Sequence, residues 1–193
     1  LALYEKMASW STENNEPAFT LTSLLSRATI LTTANAYNDP VAAMELLERA
    51  KGLSAESGDL AVEARILWNL MLLTSLNADA FPERLSYVEQ ALAAARLAGL
   101  PEQEALILFD SWYEYGLIGE WRRAEEHLLQ AIDLFRELDN KPLLAETYAR
   151  LKYVNWFLGE YDRAIAFAAE GYRIAKLSNN IEAQSISLSG EGL

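Results

Sequence analysis

Two residue types that commonly build catalytic and metal sites are almost missing from this chain. It has no cysteine and one histidine, His127, among 193 residues. The lack of cysteine excludes disulfides and thiolate metal sites, and a single histidine excludes the common His/Cys zinc arrangements. Because His127 follows Glu125 and Glu126 on a helix predicted to be partly solvent-facing, we expect a surface or interface residue. We therefore predict that the chain is not an enzyme and that it uses no metal and no cofactor.

Long apolar runs and excess positive charge are also missing. Four polar residues interrupt the most hydrophobic stretch, which is too short to span a bilayer: Arg65, Asn69, Asn77 and Asp79. The net charge of −12 opposes the attraction that supplies most nucleic-acid affinity and disfavours anionic lipid. We expect neither nucleic acid nor a membrane as a direct partner. Since no cysteine points to an oxidising compartment, we expect a cytoplasmic location.

Alternation with a period of two is absent, so we predict no strands. Proline, glycine and asparagine instead occur at intervals close to the length of a helix. These boundaries predict an all-α chain, with helices at about 1–12, 20–37, 40–57, 60–77, 80–99, 101–117, 121–138, 142–158, 161–178 and from 181 onward.

A block of sequence returns after forty residues. GEWRRA at 119–124 reappears as GEYDRA at 159–164, and Asn140 reappears as Asn180. Such a stride is typical of repeat proteins, whose units stack and bury a core between neighbours. Small residues seven apart occupy one face of the predicted second helices, where a neighbouring backbone must approach closely: Ala43 and Ala50, Ala124 and Ala131, Ala164 and Gly171.

GEYDRA, followed by a small residue seven positions after its alanine, resembles the tetratricopeptide repeat (TPR) in its longer form of about forty residues. The resemblance implies a right-handed superhelical solenoid of antiparallel helix pairs. Three positions depart from the family pattern of small residues: Arg84, Trp112 and Lys152. We expect a single repeat domain over 1–193, cut from a larger protein, with repeats at about 19–58, 59–100, 101–140 and 141–180 and partial units at 1–18 and 181–193.

In this family the first helix of each pair lines the concave surface. Mapping the units onto the repeat places eight residues towards that groove: Trp68, Phe109, Tyr113, Tyr153, Trp156, Arg65, Leu72 and Leu106. For any single ring, filling the core is the commoner fate. We expect at least two rings to reach the groove, because the first helices are apolar on more than one face. Since the positions of the family's carboxylate clamp hold mostly alanine and aromatic residues, the expected ligand is an apolar or amphipathic segment.

The predicted function is a protein-interaction scaffold that binds a peptide, a protein segment or another domain of the same chain. The long repeat form is similar to arrays in bacterial signalling proteins, such as maltose-activator-like regulators and nucleotide cyclases. That similarity leaves two alternatives, an intramolecular regulatory array and a small-molecule sensor with an enclosed pocket. Ile181, Ile186 and Leu188 in the last partial helix predict exposed apolar surface, which a homodimer could cover.

Overall fold

A computed structural model describes residues 1–14, 16–33, 35–55, 58–74 and 81–189, without the side chains of residues 81 and 82. Within these residues the chain forms ten helices and no strand, which confirms the all-α prediction. The helices are α1 (Ala2–Glu13), α2 (Pro17–Thr32), α3 (Pro40–Ser54), α4 (Leu60–Thr74), α5 (Phe81–Leu97), α6 (Pro101–Leu117), α7 (Trp121–Glu137), α8 (Lys141–Phe157), α9 (Tyr161–Leu177) and α10 (Ile181–Leu188).

The helix bounds match the predictions best in the second half, where α6 to α9 each lie within one residue of the expected ends. The largest difference is α2, which ends at Thr32 rather than Tyr37. Its last carbonyls are bound by side-chain amides, since Nδ2 of Asn35 donates to Ile30 and Nδ2 of Asn38 donates to Leu31. Such amides end a helix early because they replace the next turn of backbone bonds. The predicted helix ends at 57 and 77 and the start at 80 lie outside the described residues.

The chain divides into two compact units, Leu1–Leu100 and Pro101–Leu193. In unit 1, α2 packs with α3 and α4 packs with α5, while α1 covers α2. In unit 2, α6 packs with α7, α8 packs with α9, and α10 packs against α8 and α9. The four repeat ranges stay a prediction alongside these helix pairs. The single array over 1–193 stays a prediction.

The core of unit 1 forms where α2 meets α3. Leu24, Leu25 and Ala28 of α2 are buried against a face of α3 that carries Ala43 and Ala50. The entry to α3 is fixed by Asp39, whose carboxylate accepts from the backbone N–H of Ala42, with a proline at the first helical position.

In unit 2, the two helices of each pair are joined by one turn, and the two turns have the same form. Gly119 and Gly159 adopt φ of 78° and 75°, in the left-handed region that favours glycine. The residue after each glycine donates its N–H back into the preceding helix, from Glu120 to Tyr115 at 3.0 Å and from Glu160 to Asn155 at 2.9 Å. These bonds close the carboxyl end of the first helix and reverse the chain. The Gly-Glu pair of the repeated block is thus a helix terminator.

Asparagine begins the next first helix in the same way. The side chain of Asn140 accepts from the N–H of Leu143 at 3.2 Å, and that of Asn180 accepts from Ala183 at 3.0 Å. Side-chain capping of this kind satisfies an N–H that the helix cannot pair itself. It explains why asparagine recurs forty residues apart.

The small residues of the second helices are buried, as their spacing predicts. A Cβ at Gly171 would lie 2.9 Å from Oγ of Ser187 and 3.1 Å from Cβ of Tyr148, so α9 leaves no room for a side chain there. Arg84 occupies the equivalent face of α5 and is buried despite its size.

Candidate interaction surface

Two of the predicted groove rings lie at the surface of unit 2. Tyr113 on α6 is 46% exposed and Trp156 on α8 is 47% exposed. Tyr153, three residues before Trp156, is partly buried. Residues three apart are neighbours on a helix face, so Tyr153 and Trp156 belong to one side of α8. We call Tyr113, Arg150, Tyr153 and Trp156 the α6–α8 face.

Two other predicted rings are inside the protein. Phe109 is 7% exposed and meets Phe135 edge to face, with ring centres 6.3 Å apart. Trp68 on α4 is 8% exposed. These two rings fill space between helices and offer little surface to a ligand, which is the alternative that helical spacing allows for any single ring. Leu72 and Leu106 are partly buried.

Arg65 in unit 1 is also partly buried. One of its terminal nitrogens donates to Oγ of Ser26 at 3.4 Å, joining α4 to α2. Burial lowers the pKa of Arg65 from its usual value because desolvation disfavours the charged form. Its role here is contact between neighbouring first helices.

The sequence does not single out Arg150, which lies on α8 three residues before Tyr153 and reaches towards α6. The guanidinium carbon lies 5.5 Å from the ring centre of Phe109 and 5.9 Å from that of Trp112, so a side chain of α8 rests on two rings of α6. Trp112 in turn meets Tyr113 edge to face at 6.0 Å. Guanidinium groups are attracted to aromatic faces by the ring quadrupole, and this contact fixes the side chain.

Lys152 explains one departure from the family pattern. Its ammonium donates to the carbonyls of Ile186 and Ser189 and to Oγ of Ser189, and it lies 4.3 Å from the ring centre of Tyr153. A cation at these carbonyls complements the negative end of a helix. Lys152 therefore holds α10 against α8, and the hydroxyl of Tyr153 shares a hydrogen bond of 2.8 Å with Ser189.

His127 is buried, so the expectation of a surface position is wrong. It lies three residues after Ala124 and four before Ala131, which places it on the packed face of α7. The hydroxyl of Ser111 lies 2.8 Å from the carbonyl of Leu108 and shares a hydrogen bond of 2.7 Å with Nδ1 of His127. The ring also contacts Tyr115 edge to face at 4.8 Å.

The turns of unit 2 carry further aromatic contacts. Trp121 stacks on Phe157 with ring centres 4.2 Å apart and planes 6° apart, and Trp156 meets Tyr161 edge to face at 5.0 Å. Gly116 permits this arrangement, because a Cβ there would lie 2.5 Å from the ring of Trp121. The stack of Trp121 on Phe157 joins the two hairpins at their tips, whereas Trp156 and Tyr161 lie within one hairpin.

An ion network joins the starts of α7 and α9. The carboxylate of Glu125 is buried between Arg122 at 3.1 Å and Arg163 at 2.7 Å, and both arginines also bind Glu160. The hydrogen bonds that Arg122 and then Arg163 donate to Glu160 lower the pKa of that carboxyl, and the hydrogen bonds that Arg122 donates to Glu160 and Glu125 raise the pKa of Arg122. Arg122, a variable position of the repeated block, thus joins the hairpins together with Glu160 and Arg163, which are common to both copies of the block.

Other kinds of site find little support in the described part of the chain. An open depression of about 780 Å³ in unit 1 is lined by α3 and the end of α4, with Met44, Glu45, Arg49 and Leu73 among its residues. It is open to solvent, unlike the enclosed pocket that a small-molecule sensor predicts. Among the described residues no His, Asp and Glu cluster could hold a metal ion, and no helix is long and apolar enough to cross a membrane.

The comparisons agree with the repeat and the fold. Residues 115–176 match the family model of the tetratricopeptide repeat. No curated protein matches the chain significantly. Residues 115–176 therefore carry the tetratricopeptide repeat, and the chain has a TPR-like helical-repeat fold.

Three solved structures share the fold at low sequence identity. BtubC (BKLC) from P. vanneervenii is 20% identical with a TM-score of 0.72, over 93% of this chain and 73% of that chain. Aspartyl phosphate phosphatase F from Bacillus subtilis is 16% identical with a TM-score of 0.76, over 97% and 50%. A STAND protein with a tetratricopeptide repeat sensor from Pyrococcus horikoshii is 16% identical with a TM-score of 0.70, over 89% and 26%. The chain thus spans half of the phosphatase and about a quarter of the STAND protein.

Proposed function

We propose that unit 2 is a protein-interaction module that binds an extended or helical segment of a protein across the α6–α8 face. The observation that carries the proposal is the half exposure of Tyr113 and Trp156 at first-helix positions of a repeat scaffold. Large aromatic side chains held on rigid helices are the usual anchors of protein interfaces, because they bury much area with little loss of conformational freedom.

The surroundings of these rings support the same function. Tyr113 is held by Trp112, and Tyr153 by Lys152 and Ser189, so the face is preorganised. Binding a segment to a preformed surface avoids part of the ordering loss that weakens flexible sites. Each ring that a partner covers fully contributes about 1.5–3 kcal/mol from burial.

The test is selection of peptides from a random library displayed on phage, with the full chain immobilised, followed by affinity measurement on the selected peptides. Tyr113→Ala and Trp156→Ala should each weaken binding by about tenfold, which corresponds to about 1.4 kcal/mol. Tyr37→Ala is the matched control, because this tyrosine is 62% exposed but lies in unit 1. Circular dichroism checks that each variant remains folded.

The proposal fails if the selected peptides bind all three variants as well as the wild type, or if Tyr37→Ala weakens binding as much as the others. Trp68→Ala does not serve as a test of binding. Removing a buried tryptophan destabilises the fold by about 3–5 kcal/mol, so any loss of affinity would be indirect.

The second candidate is a regulatory array that docks onto another domain of the same chain. The similarity to a STAND protein described as having a tetratricopeptide repeat sensor favours it. It predicts that an intact parent protein changes activity when the array is deleted, without an added ligand. The same α6–α8 face would then contact the parent, so Trp156→Ala should reproduce part of the deletion effect.

A further inference from the structure

We infer that Arg150 recognises a carboxylate in the bound segment, so the α6–α8 face selects an acidic side chain next to an aromatic or aliphatic one. The inference rests on the proposed function and names the chemistry of its partner. Arg150 lies on α8 beside Tyr153, and its guanidinium reaches the rings of Phe109 and Trp112 on α6.

Arg150 differs from the other arginines of unit 2. Within residues 101–189 each of the others has a carboxylate partner in its own unit: Arg122, Arg123, Arg136, Arg163 and Arg173. Arg150 has no acidic partner among the residues that the structure describes, and its nitrogens are not buried. It is a cation that keeps its hydrogen-bond donors free at the surface.

The acidic residue of α8 that is spaced to pair with Arg150 has another hydrogen-bond partner. Glu146 precedes Arg150 by four residues, the spacing at which ion pairs form on helices. Its Oε1 instead accepts from Nδ2 of Asn180 at 2.9 Å, so the helix α8 does not neutralise its own arginine. An external carboxylate can therefore take the free edge of the guanidinium.

The aromatic contacts prepare Arg150 for that role. The two rings of α6 fix the side chain, so less rotamer freedom is lost when a ligand binds. A guanidinium donates two parallel hydrogen bonds to a carboxylate, a geometry that a mobile lysine does not reproduce. Tyr153, three residues further along α8, and Tyr113, which contacts Trp112, then provide contact surface for the residue next to the acid.

The charge of the chain limits the ligand to few acids. With a net charge of −12, the protein repels strongly acidic segments. At physiological salt this repulsion is screened beyond about 8 Å. A contact with Arg150 therefore outweighs the repulsion of one carboxylate but not that of a run of acidic residues. We expect selected peptides to carry one or two Asp or Glu residues beside an aromatic or aliphatic residue.

The experiment is peptide selection on two full-length proteins, the wild type and Arg150→Gln. Peptides from the wild type should be enriched in Asp or Glu next to an apolar residue, and those from Arg150→Gln should keep the apolar residue and lose the acid. A selected peptide with Glu should bind the wild type about tenfold more tightly than its Gln counterpart. The two peptides should bind Arg150→Gln equally.

Two controls separate recognition from general charge and from folding. Arg173→Gln removes the same charge from α9 and should retain the preference for Glu. Arg150→Lys keeps the charge without the planar fork and should retain only part of it. If Arg150→Gln does not fold, the affinities of the Glu and Gln peptides for the wild type and for Arg150→Lys still test whether Arg150 recognises the carboxylate.

The inference is overturned if selected peptides lack acids, or if Arg150→Gln weakens the Glu and Gln peptides equally. Peptides that depend on Tyr113 and Trp156 but not on an acid would leave the proposed function intact. Peptides that depend on neither ring would refute the proposed function itself.

Discussion

Gly116 is the position at which one methyl group tests the packing of the hairpin tips most directly. In an ordinary helix, Gly→Ala stabilises by up to about 1 kcal/mol. At Gly116 the added Cβ would lie 2.5 Å from Cζ3 and 2.8 Å from Cη2 of Trp121. Since carbon atoms prefer separations of about 3.5–4.0 Å, the ring must move by about 1 Å or turn away.

The displacement has a definite consequence because the ring of Trp121 is stacked on Phe157. Moving it loses an aromatic contact of about 0.5–1.5 kcal/mol and part of the burial of Trp121. The ring can turn towards solvent, so these lost contacts limit the penalty. After the gain in helix propensity is subtracted, we expect Gly116→Ala to lower the free energy of unfolding by about 1–2 kcal/mol.

The assay is urea unfolding followed by circular dichroism, with hydrogen exchange of the α6 and α7 amides to place the loss in unit 2. Gly52→Ala is the matched control. No atom lies within 4 Å of its added Cβ, so it should stabilise α3 by up to about 1 kcal/mol. In a Trp121→Ala background the Gly116 substitution should no longer destabilise. A Gly116→Ala protein as stable as the wild type would refute the packing argument.

Three further results are expected from unit 2. Glu160→Gln should destabilise the protein at neutral pH. Because pairing with Arg122 lowers the pKa of Glu160 in the folded state, the stability difference from wild type should be complete above the usual pKa of 4.5 and disappear as the pH falls through the lowered pKa. Thermal melts from pH 7 to 3 measure this difference. Asn140→Ala should lower the free energy of unfolding by about 1 kcal/mol, because it removes the side-chain cap of α8, and urea unfolding checks it. Lys152→Met should increase hydrogen exchange in α10 by at least tenfold while α7 stays protected, since hydrogen bonds from a charged group contribute about 1.5–3 kcal/mol.

The parts of the fold that could be predicted are those encoded locally. Gly119 and Gly159 set a left-handed turn, and Asn140 and Asn180 cap the helix that follows. Each signal acts within five residues of itself, so the ends of α6 to α9 follow from the sequence to within one residue. The early end of α2 uses asparagine side chains that reach back over five and seven residues, and no local pattern distinguishes that from continued helix.

Helical spacing predicts which side of a helix is apolar but not which rings stay exposed. Tyr113 and Phe109 are four residues apart on α6, yet one is half exposed and the other is buried against Phe135. Phe109 is covered from two other helices, by Phe135 of α7 and by Arg150 of α8. At His127 the two acidic neighbours favour a surface position, whereas its spacing from Ala124 and Ala131 matches the buried face of α7.

Arg150 and Lys152 show most clearly why partner recognition is harder to predict than the fold. They lie two residues apart on α8 and both are cationic, but Arg150 rests on rings of α6 whereas Lys152 binds the carboxyl end of α10. Their environments come from different helices, each about forty residues away in the chain. Substitutions at such first-helix positions leave the Gly-Glu turns untouched. A repeat protein can therefore change the chemistry of its binding surface while the stacking of its hairpins stays the same.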